Sequence, residues 1–458
     1  MSDGSEAAWR QLEKSVTGRL TRPGEPGFGT AAAPFNRRFT RTVPGGVLAA
    51  ADVADVRRAV EWARTEGVPV VPRGGGHSYA GFCVNTGLVV DTRALNTVTA
   101  DGGTGLVTAA GGALMADVYA AVEPHGMAFA LGNGATVGIA GLALGGGSAA
   151  TSRRLGLTAD ALVSTTLVTA DGQLVTCDAE RHPDLFWACR GGGGGNFGIN
   201  VSFTFQAVPV PDVSTCLLLW DGGAAPAVFA VLQDVMRRAP DELSVRLGVS
   251  AADGRDAVVS AVGLHLGPAS ELRELLAPVL AVARPQRADI ADRTFWQAKD
   301  YLLHETAGGA FAVRTGFATE PLPPGAVAEV LALLAHRPGS GNPDGCGLAL
   351  FGWGGAINRV DPAATAFVHR DAQYLVSMDT SWDERDDPAT VAANLHWLAD
   401  LREALAPHLA GGSYLNFTDP DLPDWRTAYY GANYARLVEI KKRVDPDRLF
   451  TFDQAVGV

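Results

Sequence analysis

Hydrophobic and polar positions in residues 1–210 follow two different periods, which predicts a mixture of helices and strands. Val53, Val56, Val60 and Ala63 recur at the spacing of an amphipathic helix, and Gly67 follows as a stop signal. Similar patterns predict helices over 6–16, 113–126 and 183–190, strands over 68–72, 87–95 and 199–207, and a hairpin over 161–177.

The pattern changes after Pro209 and Pro211, which mark a domain boundary. Beyond them, runs typical of strands alternate with amphipathic helices, which predicts a sheet covered by helices on one face. The predicted strands are 243–251, 257–266, 347–355 and 372–382, and the predicted helices are 225–238, 269–284, 325–336 and 389–409. A last helix is expected over 425–444, where Asp445-Pro446 ends it.

The composition is that of a globular protein. At 458 residues the chain exceeds one typical core, so two domains are expected. Hydrophobic residues make up 47% and charged residues 19%, and no apolar run approaches the ~18 residues of a membrane span. The N-terminus lacks the charged and apolar regions of a secretory signal. We therefore expect a cytoplasmic protein with no membrane partner.

The net charge and the cysteines exclude further classes. Lys and Arg number 37 against 49 Asp and Glu, and the net charge of −12 argues against nucleic acid as a partner. The five cysteines are scattered, odd in number and without a CxxC pair, which is typical of neither a disulfide framework nor a zinc site. We expect no metal, and each cysteine is interpreted as a small buried residue.

A glycine-rich stretch, PRGGGHSYAG over residues 72–81, follows the strand predicted at 68–72. Its three adjacent glycines can adopt positive φ and expose a row of N–H groups, which suits a phosphate or pyrophosphate. His77 lies where the glycines end. Taken alone, the stretch is equally compatible with a turn that carries an exposed histidine.

Two further glycine-rich segments follow, at 132–157 and 191–195. In the first, the spacing of the glycines is not GxGxxG after a hydrophobic strand. No acidic residue follows at the place where the ribose hydroxyl of a nicotinamide dinucleotide would need one. The sequence therefore argues against a nicotinamide cofactor.

Four motifs occur together in one order: PRGGGHSYAG, TVGIAGLALGGG, HPDLFWACRGGGGGNFGI and YYGANYARLVEIKKRVDPDRLF. With them, essentially the whole chain resembles the berberine-bridge-enzyme-like branch of the vanillyl-alcohol-oxidase/p-cresol-methylhydroxylase flavoprotein superfamily. The resemblance implies an α+β, two-domain FAD-binding PCMH-type fold. Residues 1–210 would form the FAD-binding domain and 211–420 a substrate domain of antiparallel sheet covered by helices. Residues 421–458 would return to the FAD-binding domain.

The resemblance also assigns the cofactor site. His77 would carry FAD through an 8α-N-histidyl bond. The residues implied to contact FAD are Arg73, Gly74, Gly75, Gly76, His77, Ser78, Gly81, Val137, Gly138, Gly141, Gly145, Gly146, Gly147, Asn196, Gly198, Ile199, Asn433 and Tyr434. The first loop would hold the pyrophosphate on its N–H groups, and Asn433 and Tyr434 would bring the tail onto the isoalloxazine side.

Two positions in the second segment refine this assignment. Many relatives bind the flavin a second time through a cysteine, but Gly134 occupies that place here. We therefore predict covalent attachment through His77 alone. The residue after Thr136 tends to control access of O2 to the flavin in the family, and Val137 there favours an oxidase. The alternative is a valine that only packs.

On the substrate side, Ser377 aligns with the position of the family's catalytic base. A serine alone is a poor base. Asp379 lies two residues further and points to the same face of a strand, so it is the preferred base. The alternative is a carboxylate in solvent at the edge of the sheet. Relatives often supply a phenol at the place of Phe417, and here only Tyr414 remains as a catalytic candidate in that segment.

The function implied is that of an FAD-dependent oxidase. A small organic substrate, of the kind found in secondary metabolism, would give a hydride to the flavin, and O2 would be reduced to H2O2. Monomer and homodimer both stay open. The alternatives are a dehydrogenase with another acceptor and a catalytically silent flavin-binding protein.

Tyr374 is interpreted as a core residue. His304, Arg314 and Trp353 are interpreted as structural residues that could also reach a pocket.

Overall fold

The computed structural model describes residues 3–252, 254–303 and 308–458, so His304 lies outside the described residues. Within those ranges, no helix combines the length and the apolar character needed to cross a bilayer. The fold is α+β, with parallel and antiparallel sheets and helices, as the resemblance implies.

The first 210 residues form two main sheets. Their strands are β1 Arg19–Thr21, β2 Gly46–Ala49, β3 Val70–Arg73, β4 Leu88–Asp91, β5 Val98–Ala100, β6 Leu106–Ala110, β7 Met127–Ala128, β8 Leu162–Val168, β9 Leu174–Asp178, β10 Ile199–Gln206 and β11 Val208–Pro209. Their helices are α1 Asp3–Ser15, α2 Phe28–Ala32, α3 Val53–Glu66, α4 Met115–Val122, α5 Ile139–Leu144, α6 Ser152–Leu155 and α7 Pro183–Ala188. The first sheet has the order β1-β2-β4-β3, and the second, fully antiparallel, has the order β5-β6-β10-β8-β9.

Helix α3 shows how local sequence positions the first glycine loop. The Asp52 side chain accepts a hydrogen bond from the Asp55 backbone N–H and caps the start of the helix. Gly67 ends it with a φ of 65°, a left-handed conformation that glycine adopts without strain. The chain then enters β3, which pairs in parallel with β4 and delivers Arg73 and the glycines at its carboxyl end.

The second region contains one sheet of seven antiparallel strands. The strands are β12 Val213–Asp221, β13 Leu243–Ala251, β14 Val258–His265, β15 Arg287–Arg293, β16 Ala310–Ala318, β17 Cys346–Gly352 and β18 Tyr374–Trp382, in the order β15-β12-β14-β13-β17-β18-β16. The helices are α8 Ala225–Arg238, α9 Ala269–Val282, α10 Phe295–Leu302, α11 Pro324–Ala335, α12 Ala356–Arg359 and α13 Pro388–Leu405.

One face of this sheet is covered by helices. Side chains from β12, β13, β14, β17 and β18 form a continuous core with α8, α9, α11 and α13. Tyr374 belongs to this core, fully buried, and its hydroxyl donates to the Gln233 carbonyl at 2.6 Å, so its interpretation as a core residue is confirmed. Because side chains alternate along a strand, the intervening residues point to the opposite face.

The C-terminal segment contains two helices, α14 Trp425–Tyr430 and α15 Tyr434–Val444. The prediction of one helix over 425–444 is wrong because Gly431 adopts a φ of 48° and a short 3-10 turn interrupts the α-helix there. Trp425, Tyr430 and Leu437 pack in the same core as Phe186 and other residues of the first region.

Candidate active site

A cavity of about 1070 Å³ lies between the glycine-rich loops of the first region and the seven-stranded sheet. The sheet contributes side chains from its face opposite the helices, among them Arg246, Phe351, Ser377 and Asp379. Small-molecule sites in proteins range over roughly 300–1000 Å³. The cavity therefore has room for a large cofactor together with a small substrate.

His77 lines this cavity with a neutral imidazole. Its ring stacks on Phe35 with a centroid separation of 3.8 Å and an interplanar angle of 20°. Its Nε2 lies 2.9 Å from Thr136 Oγ1. Burial lowers the pKa of His77 to about 4, so the ring keeps a nitrogen lone pair at neutral pH.

The first and second glycine segments touch through their backbones. A β-carbon built on Gly75 would lie 2.3 Å from the Gly138 nitrogen, and one on Gly138 would lie 2.4 Å from the Gly75 nitrogen. Both distances are far below any real contact, so only glycine permits this approach. The result is a wall of bare backbone that faces the cavity, as an anionic pyrophosphate requires.

Most of the predicted cofactor residues line the cavity. These are Gly74, Gly75, Gly76, His77, Ser78, Val137, Gly138, Gly141, Asn196, Gly198 and Ile199. The predicted catalytic residues Ser377, Asp379 and Tyr414 line it as well. The structure therefore brings together residues that are about three hundred positions apart in the chain.

Arg73 and Gly81 lie outside the cavity lining. The guanidinium of Arg73 is buried and donates hydrogen bonds to the backbone carbonyls of Ala32 at 3.1 Å and Cys83 at 3.3 Å. Gly81 has a φ of 71°, and a β-carbon there would lie 2.4 Å from the Phe39 ring. The Arg73 guanidinium and the Gly81 backbone both contact protein. They therefore support the first glycine loop on the side away from the cavity.

Gly145, Gly146 and Gly147 likewise lie behind the cavity surface. The Gly147 and Ser148 N–H groups donate to the Tyr414 hydroxyl oxygen at 3.1 Å and 3.0 Å. These glycines therefore contact protein, and their packing against the dinucleotide stays a prediction. Tyr414 itself is buried, and its phenol fastens the second glycine segment to the second region.

The tail residues Asn433 and Tyr434 also lie outside the lining. The Asn433 side-chain amide donates to the carbonyls of Pro362 at 2.8 Å and Thr365 at 3.1 Å, and the Tyr434 ring stacks on Tyr430. Both polar groups are thus used within the protein, and the approach of these two residues to the isoalloxazine stays a prediction.

The tail reaches the third glycine segment through a different residue, Lys441. Its buried Nζ donates to the Asn196 carbonyl, the Phe450 carbonyl and the Asp445 carboxylate, each at 2.6 Å. The Asn196 side chain accepts a hydrogen bond from the Val456 N–H at 2.8 Å. This buried network holds the loop that lines the cavity.

Asp379 lies on β18 between Gly347 of β17 and Val313 of β16. Burial raises the pKa of its carboxyl to about 6; Arg246 opposes this shift and Asp344 adds to it. Ser377, on the same strand face, is also buried in the cavity wall. A carboxylate with a pKa near neutrality in a cleft is suited to accept a proton.

Tyr79 and Arg246 are among the cavity residues that sequence reasoning missed. The Tyr79 ring stacks on Phe417 at 5.1 Å with an interplanar angle of 7°, and burial together with the Asp379 charge raises its pKa to about 12. The signal for Arg246 was present, because a charged residue between Val245 and Leu247 marks the face of β13 that is not core.

The other secondary candidates are mostly structural. Arg314 pairs with Asp419 at 3.4 Å, and Trp353 is buried with its indole N–H donating to the His369 carbonyl at 3.3 Å. Trp353 nevertheless reaches the cavity wall. All five cysteines are buried. In the part of the chain that the structure describes, no cluster of three or more His, Cys, Asp or Glu side chains is placed to bind a metal.

Gly134, at the position where many relatives have the cysteine that binds the flavin a second time, is closely packed against its neighbours. Gly134 lines the cavity, and a β-carbon there would lie 2.8 Å from Val137 Cγ2. Of the described cysteines, Cys83 also lines the cavity, and its Sγ lies 3.6 Å from the Gly76 carbonyl. A thiol at position 134 would thus displace the valine beside it.

The bare backbone of the first two loops, the neutral His77 and the volume of the cavity fit a flavin dinucleotide. Together with the two-region fold they define a flavoprotein oxidoreductase. Two family models match the chain: an FAD binding domain over residues 44–178, and berberine and berberine like over residues 413–457.

Relatives and solved structures agree over nearly the whole chain. An FAD-linked oxidoreductase of Bacillus subtilis, YgaK, is 33% identical over 455 residues, which cover 97% of this chain and 98% of the relative. The structure of Physcomitrella patens BBE-like 1 has a TM-score of 0.90 at 27% identity and covers 98% of both chains. A xylooligosaccharide oxidase from Myceliophthora thermophila, solved with xylobiose, has a TM-score of 0.84 at 26% identity, covering 98% of this chain and 99% of that one. The chain belongs to the berberine-bridge-enzyme-like family of FAD-linked oxidoreductases.

Proposed function

We propose that the protein is an FAD-linked oxidase that oxidises a C–H bond next to a hydroxyl or amine of a small organic substrate. His77 would be its single covalent attachment to FAD, and O2 its electron acceptor. The observation that carries the proposal is that one cavity is lined both by His77, from the first glycine loop, and by Asp379, from the seven-stranded sheet. Named relatives include a xylooligosaccharide oxidase and a tetrahydroberberine oxidase, so sugars and amines are both reasonable substrates.

When bound, FAD would supply the acceptor for the substrate hydride and pass the electrons to O2, giving H2O2. The protein itself would bind the substrate, orient it and remove its proton. Asp379, ionised above about pH 6, would take the proton of the substrate hydroxyl. Tyr79 and Phe417 offer a stacked aromatic wall on which a substrate can lie. Tyr414 would keep the second glycine segment in place.

The attachment to His77 is supported by the state of its ring. A nucleophilic nitrogen must be unprotonated, and burial keeps His77 neutral over the physiological range. The stack on Phe35 and the contact with Thr136 fix the orientation of the ring. A single bond is proposed because Gly134 offers no thiol beside the cavity.

The choice of O2 as acceptor is supported by Val137, which lines the cavity beside the first loop. It is tested by reducing the enzyme anaerobically and mixing it with O2 in a stopped-flow instrument. Rapid reoxidation with stoichiometric H2O2 supports the oxidase. Reoxidation that is very slow with O2 and fast with a quinone would favour a dehydrogenase.

The central experiment combines cofactor and substrate. The purified protein is denatured, its absorption spectrum is recorded, and a peptide map locates the flavin. A panel of oligosaccharides, alcohols and amines is then tested for anaerobic bleaching of the flavin. The proposal expects a flavin peptide that contains His77 and bleaching by at least one class. Bleaching by none of them would favour a catalytically silent flavin-binding protein.

A further inference from the structure

Arg246 points into the cavity because of its register on β13. Its neighbours Val245 and Leu247 are buried in the core beneath the helices, so Arg246 points to the opposite face. Across the sheet it is paired with Val262 on β14 and Phe351 on β17. All three residues line the cavity.

Between Arg246 and Asp379 the sheet carries only small side chains. Gly248 follows Arg246 on the same strand face and is paired with Ala349, which is paired with Ser377. Asp379 itself is paired with Gly347. A β-carbon on Gly248 would lie 3.6 Å from Arg246 Nη1, so the guanidinium extends over this glycine. The small residues leave a groove between the cation and the carboxylate.

The guanidinium of Arg246 makes no direct polar contact with the described protein, although the Asp379 charge acts on it from a distance. Among the described residues, no carboxylate forms an ion pair with it and no acceptor forms a hydrogen bond with it. Its nearest defined contact is the Phe351 ring, with Cζ 5.6 Å from the centroid. Partial desolvation by the cavity walls lowers the pKa of Arg246, and the Asp379 charge opposes this shift. The Arg246 side chain is exposed within the cavity, so its N–H donors face the cavity and are available to an acceptor on a ligand.

We infer that Arg246 binds a carboxylate of the substrate, so that the substrate is a hydroxy acid. Its carboxylate would lie on Arg246 and its oxidisable carbinol at Asp379. A guanidinium matches a carboxylate with two parallel hydrogen bonds. A single negative charge balances the arginine, whereas a dianion would be repelled by Asp379 and Asp344, which both line the cavity. The aromatic wall of Tyr79 and Phe417 suits a ring between the two groups, as in a sugar acid.

This inference rests on the proposed oxidase function for its chemistry. The C–H and O–H bonds of the carbinol break and a C=O bond forms. The hydride would pass with both electrons to bound FAD, the hydroxyl proton would pass to Asp379, and O2 would then take the two electrons and two protons to give H2O2. The carboxylate on Arg246 is unchanged by the reaction.

The test uses matched acid and neutral pairs with the holoenzyme: glucuronate with glucose, galacturonate with galactose, and mandelate with phenylethanediol. Binding is followed by calorimetry and by perturbation of the flavin spectrum, and turnover by anaerobic flavin reduction. The expected result is a preference of about 10- to 100-fold for the acid of at least one pair, the range of a hydrogen-bonded charge.

Arg246→Met should remove that preference, measured as the ratio of acid to neutral compound within each variant, while Arg246→Lys should retain part of it. Arg385→Met, which alters an exposed arginine, is the matched control and should change nothing. If Arg246→Met fails to fold, the inference is tested by Arg246→Lys and by the preference of the wild type for acids over neutral compounds.

Acids that bind no better than their neutral partners, or equally well after Arg246→Lys and Arg246→Met, would overturn the inference. Binding of acids that depends on Arg246, without flavin reduction by any compound, would support the carboxylate site and count against the oxidase. Flavin reduction by neutral compounds alone would support the oxidase and count against the carboxylate site. The two proposals can therefore fail separately.

Discussion

His77 is the residue on which the proposed attachment of FAD depends. Because its imidazole is neutral and lines the cavity, His77→Ala is expected to leave the flavin bound without a covalent link. The measurement is flavin fluorescence of the denatured band in a gel, which should be present in the wild type and absent in the variant. His396→Ala, at an exposed histidine, should keep the fluorescent band. Complete release of FAD from the wild-type protein by acid would refute the attachment.

Asp379 is the proposed base, and its pKa near 6 sets a pH dependence. The base must be ionised to accept a proton, so flavin reduction should rise with pH through about 6 and then level off. Asp379→Asn should slow reduction by about 10²- to 10⁴-fold and abolish this rise. The measurement is the anaerobic reduction rate between pH 5 and 9, at about unit intervals, for both proteins.

Ser377→Ala provides the control for Asp379, since Ser377 shares its strand face. We expect its reduction rate to stay within a few-fold of the wild type, because an alcohol lacks the pKa of a base at neutral pH. A large loss in Ser377→Ala with an undiminished rate in Asp379→Asn would reverse the assignment of the base.

At the scale of elements, the close approach of the two glycine segments carries a clear prediction. Gly138→Ala should lower Tm, because the new β-carbon would lie 2.4 Å from the Gly75 nitrogen and push the loops apart. Gly141→Ala is the matched control, since a β-carbon there meets no protein atom within 4 Å. Both are compared as apoproteins in the His77→Ala background. Equal Tm values would show that the loops can separate without cost.

The Lys441 network makes a prediction about the tail. Lys441→Met leaves the Asp445 carboxylate buried without its partner, so the variant should be destabilised by about 3–5 kcal/mol. Lys442→Met removes an exposed ion pair with Glu439 and should cost less than about 1 kcal/mol. Urea unfolding, followed by tryptophan fluorescence, measures both. Similar midpoints for the two variants would show that the buried lysine does not hold the tail.

Local signals predicted some elements and missed others for physical reasons. Helix α8 was predicted with its observed bounds, because its apolar stripe is regular and Arg238 ends it. Strand β15, sequence RADIADR, was missed because it lies at the sheet edge and its charged side chains hide the alternation. The break at Gly431 was missed because glycine is compatible with a helix until tertiary packing selects a positive φ.

At the scale of the whole molecule, the cavity is formed by residues that no local pattern brings together. His77 lies in the loop after β3 and Asp379 lies on β18 of the seven-stranded sheet, and only the family resemblance placed both at one site. The resemblance also placed Arg73, Asn433 and Tyr434 at the cofactor, where the structure has them bonded or packed within the protein. Arg246 was missed because the alternation along β13 shows only that it lies on the face away from the core, and no local pattern places that face at the cavity.

The proposed covalent attachment of FAD has a consequence for the stability of the whole protein. A ligand that dissociates stabilises the folded state by RT ln(1 + [L]/Kd), which is about 2.7 kcal/mol at a ligand concentration of 100 Kd. A covalently held flavin cannot respond to added ligand, so the Tm of the wild type should not change with FAD concentration. The Tm of His77→Ala should instead rise with the logarithm of FAD concentration, because that variant keeps the cavity and loses only the bond.

Differential scanning fluorimetry of both proteins over a thousandfold range of FAD, roughly 1 μM to 1 mM, makes the comparison, since each tenfold step adds about 1.4 kcal/mol once the site is saturated. A wild-type Tm that climbs in parallel with that of the variant would mean that FAD is exchangeable in both, and a flat Tm in the variant would mean that the cavity does not bind FAD.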